Sequence, residues 1–306
     1  MEQESVLRTF SLTKLYGGVP AVDHVSMNIG RGEIYGFVGR NGAGKTTLMR
    51  MVGGLIRKSG GGFELFGCPD SDPKEYLVRR RLGAIIEAPA VYPSFTAYQN
   101  LEMQCLAGGV TDTSVIPRLL ERVGLAYTGK KKAKDFSLGM RQRLGIAAAL
   151  VGKPEFLILD EPVNGLDPQG IVEVRELLKS LNREEGITVF VSSHILGELS
   201  KLATKFGFIE RGRLLQEISA SELEHACRKS VTLYVDKIAG FADAMRALGV
   251  KDYRVISANS AEVFAELSVS ALAFALRDAG IDLLRVIEND VDLERYFIDL
   301  VGRSAQ

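Results

Sequence analysis

The 306-residue sequence predicts an α/β fold: a core of buried parallel strands and covering helices, an antiparallel β subdomain, a helical subdomain, and a small α+β domain at the C-terminal end. Three observations carry this prediction. The runs Glu33-Ile34-Tyr35-Gly36-Phe37-Val38 and Glu155-Phe156-Leu157-Ile158-Leu159 are apolar without alternation, the pattern of strands buried on both faces of a parallel sheet. The first run passes through a glycine-rich turn into the helical run Leu48-Met49-Arg50-Met51-Val52. Residues 5–35 and 62–68 instead alternate apolar and polar positions between glycine turns, which predicts an antiparallel sheet beside that core.

Taken in chain order, the turn after the first buried strand is the most specific element. Gly39-Arg40-Asn41-Gly42-Ala43-Gly44-Lys45-Thr46-Thr47 is a complete G-x-x-x-x-G-K-[ST] phosphate-binding loop, so the core is that of a P-loop NTPase. Its glycines let successive N–H groups point into one concavity, and the following helix adds the positive end of its dipole. Lys45 is placed to reach the β- and γ-phosphates, and Thr46 to set its hydroxyl on Mg²⁺. ATP or GTP is the expected ligand. No Asn-Lys-x-Asp segment that would read guanine occurs, which argues against a GTPase.

The strand Leu82-Gly83-Ala84-Ile85-Ile86 then runs into Glu87-Ala88-Pro89-Ala90, and from about Ala88 to Leu150 helical patterning dominates. Inside that stretch, Phe136-Ser137-Leu138-Gly139-Met140-Arg141-Gln142-Arg143 offers a second helix N-terminus to an anion, although a serine cap before a basic helix is also a common structural device. The strand at 155–160 ends in Asp160 and Glu161, at the edge where open α/β sheets bind ligands. Asp160 suits the Mg²⁺ shell, and Glu161 suits polarisation of the attacking water. A strand at 187–193 ends in Val191-Ser192-Ser193-His194, and Phe206 to Leu215 reads as a closing hairpin about Glu210-Arg211-Gly212-Arg213. The nucleotide-binding domain is expected over 1–217.

The remaining 218–306 carry no phosphate loop and no catalytic constellation. Strands at Val231–Val235, Tyr253–Ser257, Glu262–Leu267 and Leu283–Glu288, with helices at Ala239–Leu248 and Ala271–Ala279, give the split βαβ order β-α-β-β-α-β. An amphipathic segment from Leu293 to Leu300 is expected to dock on its own domain. The role assigned to this part is accessory or dimer-supporting.

Composition narrows the setting. With 46% hydrophobic residues the chain can bury a large core, yet no run reaches the ~18 apolar residues of a membrane helix. Met1-Glu2-Gln3-Glu4-Ser5 does not open a secretory leader, so a cytoplasmic protein is expected. The formal charge of zero argues against general affinity for nucleic acid. Cys68, Cys105 and Cys227 are too scattered for a disulfide framework or a zinc site. The basic run Lys130-Lys131-Lys132-Ala133-Lys134 reads as a solvated face, with phosphate or lipid headgroup contact as the sharper option.

The ordered set Tyr16, GRNGAGKTT, FSLGM, LILDEP, Asn164-Gly165-Leu166-Asp167 and His194 closely resembles the ATP-binding subunits of ABC transporters. The resemblance implies an ABC ATPase that dimerises around two Mg-ATP molecules, as a homodimer or as a heterodimer with another ATPase subunit, and drives a separate transmembrane permease, sitting peripherally on the inner face of the membrane. It implies that Tyr16 stacks on adenine, although an ordinary turn tyrosine fits too. It also implies that Gly39, Asn41, Gly42, Ala43, Gly44, Lys45, Thr46 and Thr47 hold the phosphates, and that Ser137 and Gly139 bind the γ-phosphate held by the opposite subunit. Asp167 belongs to a loop crossing the dimer interface, or else simply caps a helix. His194 contacts the γ-phosphate and orients the attacking water, or else is a satisfied core histidine. FSLGM departs from the usual LSGGQ at Leu138 and Met140, and Glu87 stands where the family usually has glutamine, as a further Mg²⁺ or water contact. That glutamate, with EIYGFVGR and FSLGMRQRLGIA, resembles over the whole chain the subgroup that exports bacitracin or confers lantibiotic immunity. A non-transport ABC ATPase working on ribosomes or DNA is the alternative, disfavoured by the single compact cassette.

Overall fold

The computed structural model describes residues 4–227, 230–264, 268–289 and 293–304. Part of the leader expectation, Met1 to Gln3, and the end of the expected strand Glu262–Leu267, 265–267, lie outside the described residues. The chain divides into two compact units between Ala220 and Ser221.

The first unit is organised by a six-stranded sheet in the order Arg213–Ser219, Lys205–Glu210, Ile34–Val38, Thr188–Ser193, Phe156–Leu159, Leu82–Ile85. Five of these strands run parallel, and the edge strand Arg213–Ser219 returns antiparallel. Every position of Ile34–Val38, Phe156–Leu159 and Thr188–Ser193 is buried, as their unalternating sequences require. Tyr35, Phe37, Phe156 and Phe190 are fully buried and their rings pack against one another at the centre. Tyr35 keeps its hydroxyl satisfied by donating to Glu217 Oε1 at 2.9 Å, and burial pushes this phenol well above its ordinary pKa.

A second sheet orders Val19–Val25, Ser5–Tyr16, Gly60–Leu65 and Cys68–Pro69, with Asn28–Gly30 also on Ser5–Tyr16, and all its pairings are antiparallel. The antiparallel stretch thus ends at Gly30, short of the residue 35 that alternation suggests. Gly32, at φ 77°, turns the chain there, and the wholly apolar Ile34–Val38 crosses into the parallel core. The helices Ala97–Gly108, Val115–Arg122 and Leu138–Leu150 form the helical layer. It begins at Ala97 rather than Ala88, because Thr96 supplies the N-cap and exchanges bonds with Gln99 in a capping box. Lys130 to Lys134 run along a mostly exposed turn, with Lys131 Nζ 5.8 Å from the Phe136 ring. Among the described residues no helix is long and apolar enough to cross a membrane.

Glu155, at the start of a central strand, joins three elements: its carboxylate accepts from Arg81 at 2.6 Å and from Arg31 at 2.8 Å. These guanidiniums hold its pKa well below the usual 4.5, at about 2. A depressed carboxylate contributes stability that is present above its unfolded pKa and lost as pH falls through the folded one. Glu155→Gln should therefore be less stable than the parent at neutral pH, and the gap should narrow on acidification from about pH 5 and close at about pH 2. Thermal melts across that range check this; a gap that stays constant would separate the pair from acid stability.

The second unit is a four-stranded antiparallel sheet in the order Tyr253–Ser257, Ser260–Val263, Ser230–Val235, Leu283–Asn289. Phe241–Ala247 and Val269–Asp278 are its two inserted helices, and Leu233, Phe241, Met245 and Leu276 are buried in its core. The element order is β-α-β-β-α-β followed by the helix Leu293–Ser304. The third strand is Ser260–Val263, earlier than the expected 262–267, because it follows a tight turn at Ala258-Asn259.

Candidate nucleotide site

The site forms at the carboxyl ends of the parallel strands, where three short sequence stretches converge, the first and second joined by a contact across 114 positions and the second and third by one across 32. Ile34–Val38 delivers Gly39 to Gly44, which wrap a concavity of about 180 Å³ lined by the loop, Ala21, Lys45, Thr46, Thr47 and Glu161. Gly44 sits at φ 108°, and a Cβ there would lie 2.4 Å from the Ala21 carbonyl, so only glycine fits. Gly39 is equally confined: its Cβ would meet the Ile209 carbonyl at 2.5 Å. The loop is pinned from outside, since Gly212 N donates to Ala43 O at 2.9 Å and Asp23 N donates to Gly212 O at 2.8 Å. Arg211 and Gly212 form a two-residue hairpin turn with φ 48° and 80°, which carries this clasp. Asn41 and Gly42 are exposed at the loop's crest.

Lys45 opens the helix Lys45–Val52 and is 5% exposed. Its ammonium donates to Gly39 O at 2.6 Å and Arg40 O at 3.3 Å, and lies 3.2 Å from Glu161 Oε1. That oxygen is buried and makes no hydrogen bond, since its approach to Lys45 is an ion pair outside hydrogen-bonding geometry. Thr46 Oγ1 donates to Asp160 Oδ2 at 2.6 Å, and Ser192 Oγ donates to Asp160 Oδ1 at 2.6 Å. Ser192 also accepts from the Glu161 amide at 2.9 Å, tying the Asp160 carboxylate and the Glu161 backbone to the neighbouring strand. His194 Nδ1 stands 2.8 Å from Glu161 Oε2. An ionised carboxylate only accepts, so Nδ1 carries the proton, and in the neutral ring Nε2 is left as an acceptor. Glu161 holds φ 49°, a left-handed backbone that turns its side chain toward Lys45 and His194, away from the direction of Asp160.

These groups fit a hard divalent cation carried by a polyphosphate. Thr46 and Asp160 supply two oxygen ligands of the kind Mg²⁺ takes, and the glycine cradle with Lys45 suits phosphate oxygens that would complete the shell. No cluster of three or more His, Cys, Asp or Glu able to hold a metal unaided occurs among the described residues.

The other expected residues are placed less uniformly. Tyr16 ends the strand Ser5–Tyr16, half-exposed, with Lys14 Nζ 5.1 Å over its ring; it pairs with Val19 on the strand that brings Ala21 to the loop. Ser137 caps Leu138–Leu150 by accepting from Met140 N at 3.2 Å, and Asp167 caps Pro168–Glu185 by accepting from Gly170 N at 3.0 Å. Gly139 has room, since a Cβ would meet Leu166 only at 3.9 Å. Glu87 does not join the cluster. The strand stops at Ile85, Glu87 takes φ 73°, and its exposed carboxylate pairs with Arg50 rather than with Thr46 or Asp160. Ser192, Ala21 and Gly212 were not singled out from sequence. The polar pair Ser192-Ser193 inside an otherwise apolar strand is the available signal for the first; the hairpin turn at Glu210-Arg211-Gly212-Arg213 is the local sign of Gly212, and nothing local marks Ala21.

The sequence pattern of the ABC transporter family matches residues 22–164. The bacitracin transport ATP-binding protein BcrA of Bacillus licheniformis is 42% identical over 300 residues, covering 97% of this chain and 98% of its own length. The lantibiotic transport ATP-binding protein SrtF of Streptococcus pyogenes is 43% identical over 214 residues, 69% of this chain and 90% of its own. Among solved structures, the dimeric ATP-binding cassette MJ0796 bound to ADP and Pi superposes with a TM-score of 0.63 at 25% identity, covering 70% of this chain and 98% of that one.

Proposed function

This chain belongs to the ABC transporter ATP-binding family, and from that premise we propose that two copies close around two Mg-ATP molecules to drive a separate membrane permease that exports a peptide antibiotic of the bacitracin or lantibiotic type. The ATPase assignment follows from the family. The observation that carries the mechanism is the linked pair of networks at the strand ends, Thr46–Asp160–Ser192 and Lys45–Glu161–His194. Mg²⁺, when bound with ATP, neutralises phosphate charge. Thr46 and Asp160 are the side chains suited to hold it. Without nucleotide, Lys45 is occupied by two loop carbonyls and Glu161; a bound γ-phosphate competes for the same ammonium, freeing Glu161 to accept a proton from water. His194 keeps that carboxylate aimed by donating to its other oxygen.

Ser137 and Asp167, at exposed helix starts, are assigned to the partner's nucleotide across the dimer. Mixing Lys45→Ala chains with Ser137→Arg chains should restore activity through the one undamaged composite site in each heterodimer. Full-rate hydrolysis by monomers indifferent to Ser137 would overturn the trans arrangement.

The export assignment is supported by relatives that span nearly the whole chain. Its test uses Glu87, which leaves the nucleotide sheet and faces Arg50 instead of the phosphate loop. Glu87→Ala should leave ATP affinity near normal and cut bacitracin or lantibiotic resistance by about ten-fold, within the usual coupling range, in cells that also make the permease. Unchanged resistance would detach Glu87 from coupling; absence of any resistance conferred by the unmodified chain would overturn the substrate class.

A further inference from the structure

We infer that Arg175 and Glu198 are positioning residues that hold His194 against Glu161, an inference that rests on the role assigned to His194 above. The segment carrying His194 has little to fix it locally. It leaves the buried strand Thr188–Ser193 and enters Leu196–Leu199, a single helical turn of four residues, far too short to be stable by its own hydrogen bonds. Its backbone hold on the carboxylate is also weak, because the His194 amide reaches Glu161 Oε2 only at 3.4 Å. Leu196 and Leu199 are buried and anchor one side of that turn. The apolar packing is nonetheless incomplete. A void of about 20 Å³ remains beside Leu199, lined also by Pro162, Val163, Ser192, Arg175 and Glu198.

The ion pair spans that gap. Glu198 Oε2 accepts from Arg175 Nη1 at 2.8 Å, and both side chains are mostly buried, at 23% and 16% exposure. Arg175 lies two turns into Pro168–Glu185, the helix whose first turn is capped by Asp167. A mostly buried, hydrogen-bonded charge pair fixes its two elements far better than an exposed one, since losing either partner strands the other charge in a poorly solvated place. The pair therefore ties the turn after His194 to a long, well-packed helix whose own start belongs to the proposed dimer-facing loop. The contrasting contacts are Lys201 with Glu198 at 3.2 Å and Glu176 with Arg175 at 3.5 Å, where Lys201 and Glu176 are 58% and 59% exposed and screened by water.

Steady-state ATP hydrolysis by the full chain tests this. Arg175→Ala and Glu198→Gln should each lower kcat about ten-fold with KM for ATP changed less than about two-fold, the signature of a misplaced group rather than a lost binding contact. Arg175→Lys should recover most of the rate, and Lys201→Ala should leave it unchanged. The decisive measurement is the double variant. His194→Ala with Arg175→Ala should be no slower than His194→Ala alone, because a residue that acts only through His194 has nothing further to lose. A normal kcat in Arg175→Ala, or losses that multiply in the double variant, would overturn the inference even if they accompany a lower melting temperature. A normal kcat in His194→Ala alone would instead remove His194 from the site, and the positioning role with it.

Discussion

Glu161→Gln is expected to lower ATP turnover by ~10²-fold or more, the order expected for loss of a general base, while leaving nucleotide binding intact. The side chains that bind are separate from the one that is lost: Lys45 and the glycine loop on one hand, Thr46 and Asp160 on the other. Glutamine keeps the shape, keeps an oxygen that can accept from His194 Nδ1, and makes the same left-handed backbone demand at φ 49°. What it cannot do is take a proton from water. The variant should therefore accumulate as an ATP-bound dimer, and ATP should still raise its melting temperature as ligands that bind only the folded state do. Hydrolysis rates together with size-exclusion chromatography in the presence of ATP check both halves. Near-normal turnover would remove Glu161 from its assigned role; loss of ATP binding, and of the ATP-dependent dimer with it, would mean that the residue holds nucleotide rather than activating water.

Lys45→Ala is expected to fail one step earlier. Its ammonium is buried and makes charge-assisted bonds to two loop carbonyls as well as the ion pair to Glu161. Removing it takes away the cation offered to phosphate, which at about 1.5–3 kcal/mol for each charge-assisted bond should weaken ATP binding by ~10²-fold. It also leaves Gly39 O and Arg40 O without their donor and leaves the buried carboxylate oxygen Glu161 Oε1 without a cation. The nucleotide-free protein should lose about 1–3 kcal/mol of stability on that account. Titration calorimetry with ATP and denaturant melts without it measure the two effects separately. The contrast with Glu161→Gln is the useful part: one variant binds without turning over, the other hardly binds. If both variants bound ATP equally well, the division of labour between the loop and the strand-end carboxylate would be wrong.

The phosphate loop, the carboxylates that end a buried strand, and the parallel core were legible from sequence because each is local. The glycine spacing of Gly39 to Gly44 encodes a backbone shape, and a run such as Phe156–Leu159 has no polar face to offer to water. The split βαβ order of the C-terminal part was legible for the same reason, from the alternation of short periodic segments. Alternation was less informative where the chain changes sheets: nothing between Asn28 and Ile34 announces that one strand is antiparallel and the next parallel, since that depends on which neighbour is available to pair. Glu87 shows the same limit on the scale of one side chain. Standing where the family usually has glutamine, it implied a metal or water contact by resemblance, whereas a left-handed turn and the nearby Arg50 direct the carboxylate elsewhere.

The amino-acid sequence by itself determined the family, the phosphate cradle and the residue types at the catalytic edge, because these depend on spacing within a few residues. Only the tertiary structure decided that Ser192 joins Asp160 to Glu161, that the Arg211-Gly212 turn and Ala21 clamp the loop from outside, and that Arg175 reaches Glu198. Each of those contacts joins residues 23 to 191 positions apart or is a backbone approach governed by excluded volume, and neither long-range pairing nor close approach leaves a periodic trace in the chain.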